Sequence, residues 1–586
     1  MLATGLAAVL LLVGCTSGGV TEGSEVTVAV TDPFSSYNGN TSFGSDPANT
    51  SVITATNSRF FAYDERSELV PDESFGTVTV DSEQPMTVTY TIADGVTWSD
   101  GVPVDAADLL LAWAANSGVL NAPGFDDGSF LDVDTQQYTD DFPADVVFFD
   151  GSSGDGLEHV TSTPAIGDGG RSITLVYDEY FVDWRLVFEV GVAAHAVARA
   201  ALGADDPVTA KRAIVDAVQD ADGQDLSRIS RFWNSGFNVT DVPPDPALLV
   251  GTGPYAIAAI DAERTTLEAN PNYRGDNAPT YERVVLRHIG DPLEAVAALA
   301  DGAVDVIAPQ PTADVAQALN AIEGVTVESG FDATHERLDL QVANGRNDTF
   351  DDPLVRRAFL KTIPRQQIVD ELVAPVHADA QVRSSHVFLP GTDDYTQSAE
   401  STGSADFGRP DLAEAKRLLR EAGTVAPEVC ILFDPANPRR LREFELIQSA
   451  AAKAGFQVTD CSSPTWQELL GLPGEYDASL YALRASNLAV TATRASFSST
   501  GGVNNTSFYS NAEVDALLAE LDREPDPAKQ SRILADIDRV LWADSAGMPL
   551  YQFPSITAFR TGITGVTRSP LAAGVLWNVW EWMPAP

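Results

Sequence analysis

Short apolar strands that alternate with helical segments along a 586-residue chain constrain this fold more than any other feature. Val26 Thr27 Val28 Ala29 Val30 and Met86 Thr87 Val88 Thr89 Tyr90 Thr91 Ile92 change polarity at every second residue, the period of a half-buried strand. After the turn at Asp100 Gly101, Asp105 Ala106 Ala107 Asp108 precede Leu109, Leu110, Ala112 and Trp113, which predicts a capped helix with acids in its first turn. From Leu293 onward the alternation becomes regular. Val296 and Leu299 share a helical face, Asp301 Gly302 ends that helix, and Val304 Asp305 Val306 Ile307 reads as a short strand. Related units recur at Asp411 to Ala422, Arg439 to Val458, Val514 to Leu521 and Lys529 to Trp542. Repeated βαβ units predict an α/β architecture. With 44% hydrophobic residues over this length, the chain has the apolar content for two or more lobes.

The 84 acidic residues against 36 basic ones give a formal charge of −48, a field that repels polyanions and argues against a nucleic-acid partner. The densest acidic stretch runs from Asp126 to Glu158. Asp132 and Asp134 do not continue into the regular ligand spacing of a calcium loop, so this stretch reads as a solvated loop.

At the amino terminus, Leu10 Leu11 Leu12 Val13 Gly14 Cys15 followed by Thr16 Ser17 Gly18 Gly19 resembles a bacterial lipoprotein signal. That resemblance implies cleavage before Cys15, diacylation of its thiol, and a mature protein held on the extracytoplasmic face of the cell membrane; the apolar run is too short to span a bilayer. Residues 1–15 are then the signal and 16–24 a flexible tether. The remaining cysteines, Cys430 and Cys461, form an even pair in a compartment where disulfides persist. The local pattern predicts strand Glu428 to Phe433, helix Arg439 to Ala454 and strand Phe456 to Cys461. In simple parallel register the thiols are offset by roughly three residues, or about 10 Å, too far to bridge; a register shift or a bend at the strand end brings them together.

Four segments, in order, resemble the family 5 extracellular solute-binding proteins, the receptors of dipeptide, oligopeptide and nickel ABC importers. They are Val96 Thr97 Trp98 Ser99 Asp100 Gly101 Val102 Pro103; Gly251 Thr252 Gly253 Pro254 Tyr255 with Leu267 Glu268 Ala269 Asn270 Pro271 Asn272 Tyr273 and Leu299 to Asp305; Phe350 Asp351 Asp352 Pro353 to Phe359 with Ala415 to Gly423; and Tyr509 through Val514 to Met548 Pro549 Leu550 Tyr551. Asn437 Pro438 Arg439 Arg440 and the closing Trp577 Asn578 Val579 Trp580 Glu581 Trp582 resemble the actinobacterial branch. The resemblance implies a two-lobed periplasmic-binding-protein-like fold (type II, cluster C) with an extra subdomain on lobe I. Lobe I is expected at 25–65, 166–288 and 552–586, the subdomain at 66–165 and lobe II at 289–551. The crossings are expected near Ile289 to Pro292 and near Met548 to Tyr551.

By the same resemblance, Tyr37, Asn38, Trp466 and Tyr551 are candidate ligand contacts. Peptide receptors that grip a free α-amino group place an Asp about nine residues beyond the counterpart of Asp477. Here Leu483 Arg484 Ala485 Ser486 Asn487 Leu488 has no acid, so Ser486 and Asn487 are the candidates at that place, and Arg484 offers charge for a carboxylate or phosphate. Enzymatic readings fare poorly. The six histidines show no metal-ligand spacing, no GxSxG elbow occurs, and Gly251 Thr252 Gly253 Pro254 Tyr255 lacks the Lys-Ser/Thr ending of a phosphate loop. The expectation is a monomeric, lipid-anchored binding protein without catalytic residues, cofactor or metal. It captures an oligopeptide or similar extended polar solute by hinge closure and delivers it to ABC permease subunits. The alternative is an envelope lipoprotein of the same fold that binds a glycolipid or a partner protein.

Overall fold

A computed structural model of the chain describes all residues except 1–18, 66–67, 133–134, 140, 152–155, 168, 241, 243, 483–487, 501, 503, 572 and 586. Cys15, Arg484, Ser486 and Asn487 lie outside the described residues.

Local sequence explains where most elements begin. Helix Ala106–Asn116 starts at Asp105, whose side chain accepts from Ala107 N, while Asp108 accepts from Asp105 N, a reciprocal cap. Helices Pro292–Asp301, Pro353–Leu360, Pro438–Ala452 and Pro527–Asp544 open on proline behind an Asp or Asn that accepts from first-turn amides. Proline suits that position because its missing N–H is one the helix leaves unpaired there.

Among the described residues, ten strands form one large mixed sheet. From one edge to the other they are Gln457–Asp460, Glu428–Leu432, Ala478–Tyr481, Val325–Leu340, Gly547–Arg560, Val306–Ile307, Thr21–Val30, Tyr281–His288, Arg264–Ala269 and Tyr255–Ile260. The two long strands in the middle, Val325–Leu340 and Gly547–Arg560, run antiparallel and belong to both halves of the molecule. Val306–Ile307 pairs with Phe559 and Ala558 on one side, and Ala478–Tyr481 pairs with Arg337 to Leu340 on the other. Their register breaks between Phe331, opposite Pro554, and His335, opposite Gln552, so the first strand carries two extra residues there. Gln552 Nε2 donates to the Thr334 and Asp332 carbonyls, and Arg568 pairs with the Asp332 carboxylate at 3.0 Å. A bulge of this kind bends the ladder, and here it marks the passage from one half to the other.

This corrects the expected first crossing. Ile289 and helix Pro292–Asp301 pack with Ala29, Val304, Ile307, Ile556 and Ala558 on the first half, and the chain crosses some forty residues later. The crossing strand was hard to read because Glu328, Ser329, Gly330, Asp332 and Thr334 interrupt its apolar alternation. The expected subdomain boundary at 166 also moves. Strand Ser172–Val176 pairs with Met86–Ile92 in a four-stranded sheet whose other members are Gly76–Glu83 and Ala165–Ile166. That small sheet shares one continuous core with Val26 and Val28 through Phe60, Tyr90 and Phe188.

In the second half Cys430 and Cys461 are joined by a disulfide, with a Cα separation of 5.5 Å. Cys430 stands opposite Thr459, one residue off the simple register, and the strand ends at Asp460 so that Cys461 turns inward. Cys461 N still donates to the Ile431 carbonyl.

Candidate functional site: a cavity between the halves

A cavity of about 870 Å³ lies between the two halves, above the bulged crossing strands. Thr334, His335 and Arg337 of the first crossing strand line its floor, together with Arg383, His386 and Phe388. Its wall on the first half includes Tyr37, Phe60 and Tyr63, and its mouth is bordered by Leu488 to Phe497.

The halves touch across that mouth. Asp183 of the first half accepts from Val490 N at 3.1 Å, Thr491 N at 2.8 Å and the Thr491 hydroxyl at 2.6 Å. These groups lead into helix Ala492–Phe497, which has no side-chain cap of its own, so the carboxylate from across the cleft satisfies amides that a helix start leaves open. Tyr63 Oη accepts from Leu488 N at 2.8 Å, Val182 N donates to the Asp522 carbonyl at 3.0 Å, and Arg523 pairs with Glu179 at 2.9 Å. Burial pushes the Tyr63 phenol up to about 12, so it stays protonated at neutral pH.

The floor is rich in positive charge. Arg337 forms a fork with Asp339, Nε to Oδ1 at 3.0 Å and Nη2 to Oδ2 at 2.8 Å, and lies 5.4 Å from the Tyr481 ring centre. Burial works against its charge, but Asp339 and Tyr481 outweigh burial and hold its pKa above the usual range. Arg383 has no such carboxylate fork, and burial pulls it down to about 10. His335 and His386 are held well below 6.5, first by burial and then by neighbouring arginines.

The candidates read from sequence are placed as follows. Tyr37 lines the cavity, its hydroxyl donating to Asn57 Oδ1 at 3.1 Å. Asn38 does not line it: its amide donates to the Trp233 carbonyl at 2.7 Å and its Oδ1 accepts from Asn40 N, a turn-holding role. Tyr551 is fully buried behind the floor, with its hydroxyl on Glu443. Successive strand residues point to opposite faces, and it is the neighbouring Gln552 that reaches Arg383. Trp466 is also away from the cavity, its ring 5.2 Å from the Arg440 guanidinium.

Behind the floor, on the face that Tyr551 occupies, Glu336 pairs with Arg440 at 3.0 Å and Arg439 at 3.6 Å, and Arg439 also meets Glu443 at 3.6 Å. Burial and the neighbouring Glu336 hold the Glu443 carboxyl above the usual carboxylate range. Sequence reasoning missed Asp183, Arg337, Arg383 and His386. The compact run Arg383 Ser384 Ser385 His386 is the one signal that could have pointed to two of them.

A cavity enclosed between two α/β halves that share a pair of crossing strands defines the class: a two-lobed solute-binding protein of the periplasmic type. The fold is that of the periplasmic EDTA-binding protein EppA, with a TM-score of 0.79 and 20% identity over 97% of this chain and 98% of that one. It is likewise that of the oligopeptide-binding protein AppA of Bacillus subtilis in complex with a nonapeptide, with a TM-score of 0.69 and 16% identity over 96% and 99% of the two chains. Residues 215–505 match the model of the bacterial extracellular solute-binding proteins, family 5 Middle. An uncharacterized lipoprotein of Mycobacterium tuberculosis is 26% identical over 95% of this chain and 93% of its own length. The oligopeptide-binding protein OppA of the same organism is 20% identical over 86% and 76%. Residues 215–505 are a family 5 solute-binding domain, and lipoprotein and oligopeptide-binding relatives match it along most of the chain.

Proposed function

We propose that the protein is a lipid-anchored receptor that encloses an oligopeptide or similarly extended polar solute between its halves and delivers it to an ABC permease. The carrying observation is the cavity of about 870 Å³ roofed by direct bonds between the halves. That volume lies in the range of small-molecule sites, with a few polar groups that fix orientation. In this reading the halves are the lobes of a clamp. They hinge at the bulge near Asp332 to Thr334, and a solute favours the closed form because it touches both sides. Among the described residues no helix is long and apolar enough to cross a membrane, and anchoring falls to the lipid on Cys15. The protein acts as a monomer and performs no chemistry on its solute.

Native mass spectrometry of the protein purified from its own host, followed by denaturing identification of any co-purified molecule, tests this reading. A bound peptide or other small polar solute supports it. A bound glycolipid, or a cavity that stays empty against a peptide library, moves the function to an envelope lipoprotein that does not transport.

A further inference from the structure

Between helix Arg365–Ile368 and Arg383 the chain makes an excursion that touches both halves beside the hinge. It starts with a widened turn, in which Ala374 N donates to the Val369 carbonyl five residues back at 2.9 Å. One-turn widenings of this kind are frequent at functional places. Val369 and Val373 are buried in the core of the second half, and Glu371 on the same turn pairs with Arg442 of helix Pro438–Ala452 at 3.0 Å. Three residues after Val373, Val376 already belongs to the other core, that of Ala29, Ile289, Ile556 and Ala558 on the first half. The His377 Nδ1 and the Ser329 hydroxyl then lie 3.0 Å apart, and the His377 ring stands edge-on to Phe331 with centres 4.3 Å apart. Ser329 and Phe331 are on the crossing strand just before its bulge. From there the chain returns. Val382 bridges Tyr551 and Arg383 N donates to the Leu550 carbonyl at 3.1 Å, both past the bulge on the side of the second half. The Arg383 side chain closes the circuit on Gln552, whose amide holds the Asp332 and Thr334 carbonyls of the bulge itself.

Two anchors in one half and a grip on the other make a strap across the hinge. Resting on the receptor reading above, we propose that residues 374–382 set the angle between the halves and hold the closed arrangement from outside the cavity, with Val376 and His377 as positioning residues. Among the described residues, none from 374 to 382 lines the cavity, so these side chains act without touching a solute. Rotation about Asp332 to Thr334 carries Ser329 and Phe331 with the first half, while Val373 and Val382 stay with the second. Val376 and His377 must then leave their contacts, and the closed form is favoured by whatever those contacts are worth. An edge-on ring contact, one hydrogen bond and one valine make a modest bias, enough to shift a population and small enough for the shift to reverse.

Hydrogen exchange on the full chain in detergent, stripped of co-purified solute, tests this without a ligand. The amides of Leu488, Val490 and Thr491 are bonded across the mouth, so they exchange when it opens. His377→Ala and Val376→Ala are each expected to speed exchange at these amides about three- to tenfold. The core strand Glu428–Leu432 of the second half should exchange as in the parent. Because Val376 is buried and His377 is only half-buried, the histidine variant keeps the test decisive where the valine variant does not fold. Asp183→Ala, which cuts mouth contacts directly, is the control for opening and should speed exchange at Leu488. The inference is overturned if the folded strap variants exchange at the mouth as the parent does, or if exchange rises equally at Glu428–Leu432, which would make the strap a piece of core packing. A mouth that responds to Asp183→Ala but not to the strap variants leaves the receptor reading standing and sinks this one. A mouth that exchanges no faster than the core strand, in the parent and in Asp183→Ala alike, does not open and sinks both.

Discussion

The two faces of the crossing strands carry similar amounts of buried charge and use it differently. Behind the floor, Glu336, Arg439, Arg440 and Glu443 offset one another, and Phe553 lies under the Arg439 guanidinium at 4.4 Å. On the cavity face, Asp339 answers Arg337, but Arg383 has neutral partners and His335 and His386 are pressed toward neutrality. The balanced face is complete without a ligand, so it joins helix Pro438–Ala452 to the sheet as structure. On the cavity face the Arg383 guanidinium is held by neutral groups alone.

The sharpest way to break the comparison is Glu336→Ala. It leaves two buried guanidinium groups short of an acid, and the second half is expected to lose about 3–5 kcal/mol in denaturant unfolding; a loss below about 1 kcal/mol would show that the network is not truly desolvated. Replacing Cys430 and Cys461 together with serine opens a loop with a sequence separation of 31. It is expected to cost about 3–4 kcal/mol in the same experiment without touching the cavity.

Asp183→Ala addresses the cavity face alone. The closed form loses its cap on the Val490 and Thr491 amides, and solute affinity is expected to fall by a factor of roughly 5 to 30, equivalent to about 1–2 kcal/mol. Calorimetry checks the affinity, and X-ray scattering of the ligand-free variant should show a more open particle. An unchanged affinity would remove these contacts from the closing mechanism.

The histidines make the comparison depend on pH. Their folded pKa values are depressed below 6.5, so on acidification below about 6.5 the unfolded chain binds more protons than the folded one. The ligand-free protein therefore keeps their full contribution above pH 6.5 and loses up to about 1.4 kcal/mol per pH unit per histidine as pH falls. The double variant His335→Gln, His386→Gln should flatten this dependence in thermal melts between pH 6.5 and 5. A slope unchanged by the substitutions would mean that other groups titrate there. The smallest effect is expected at Trp466→Ala, which removes a ring from Arg440 and should cost about 0.5–1 kcal/mol with solute affinity unaltered; a large loss of affinity would return Trp466 to the site.

Legibility in the sequence differed between elements. Met86–Ile92 is the strand that its alternation predicts, and Asp105 caps the helix that its spacing announces. The crossing strand Val325–Leu340 was not legible, because its middle is polar where it bends between the halves and lines a cavity. Tyr551 and Trp466 looked available to a ligand, yet each contacts the balanced network. Asp183, in contrast, is a lone acid in an apolar stretch, and nothing near it in sequence reveals that its partners lie some three hundred residues away.

The sequence by itself determined the α/β class, the helix starts and the family, because periodicity, capping and turn chemistry act over a few residues and survive in the linear order. Only the tertiary structure decided which strands cross, how a shifted register and a bent strand end bring Cys430 and Cys461 together, and which buried charges are matched. Those outcomes depend on contacts between distant segments, and a single residue along a strand separates the balanced face from the one that lines the cavity.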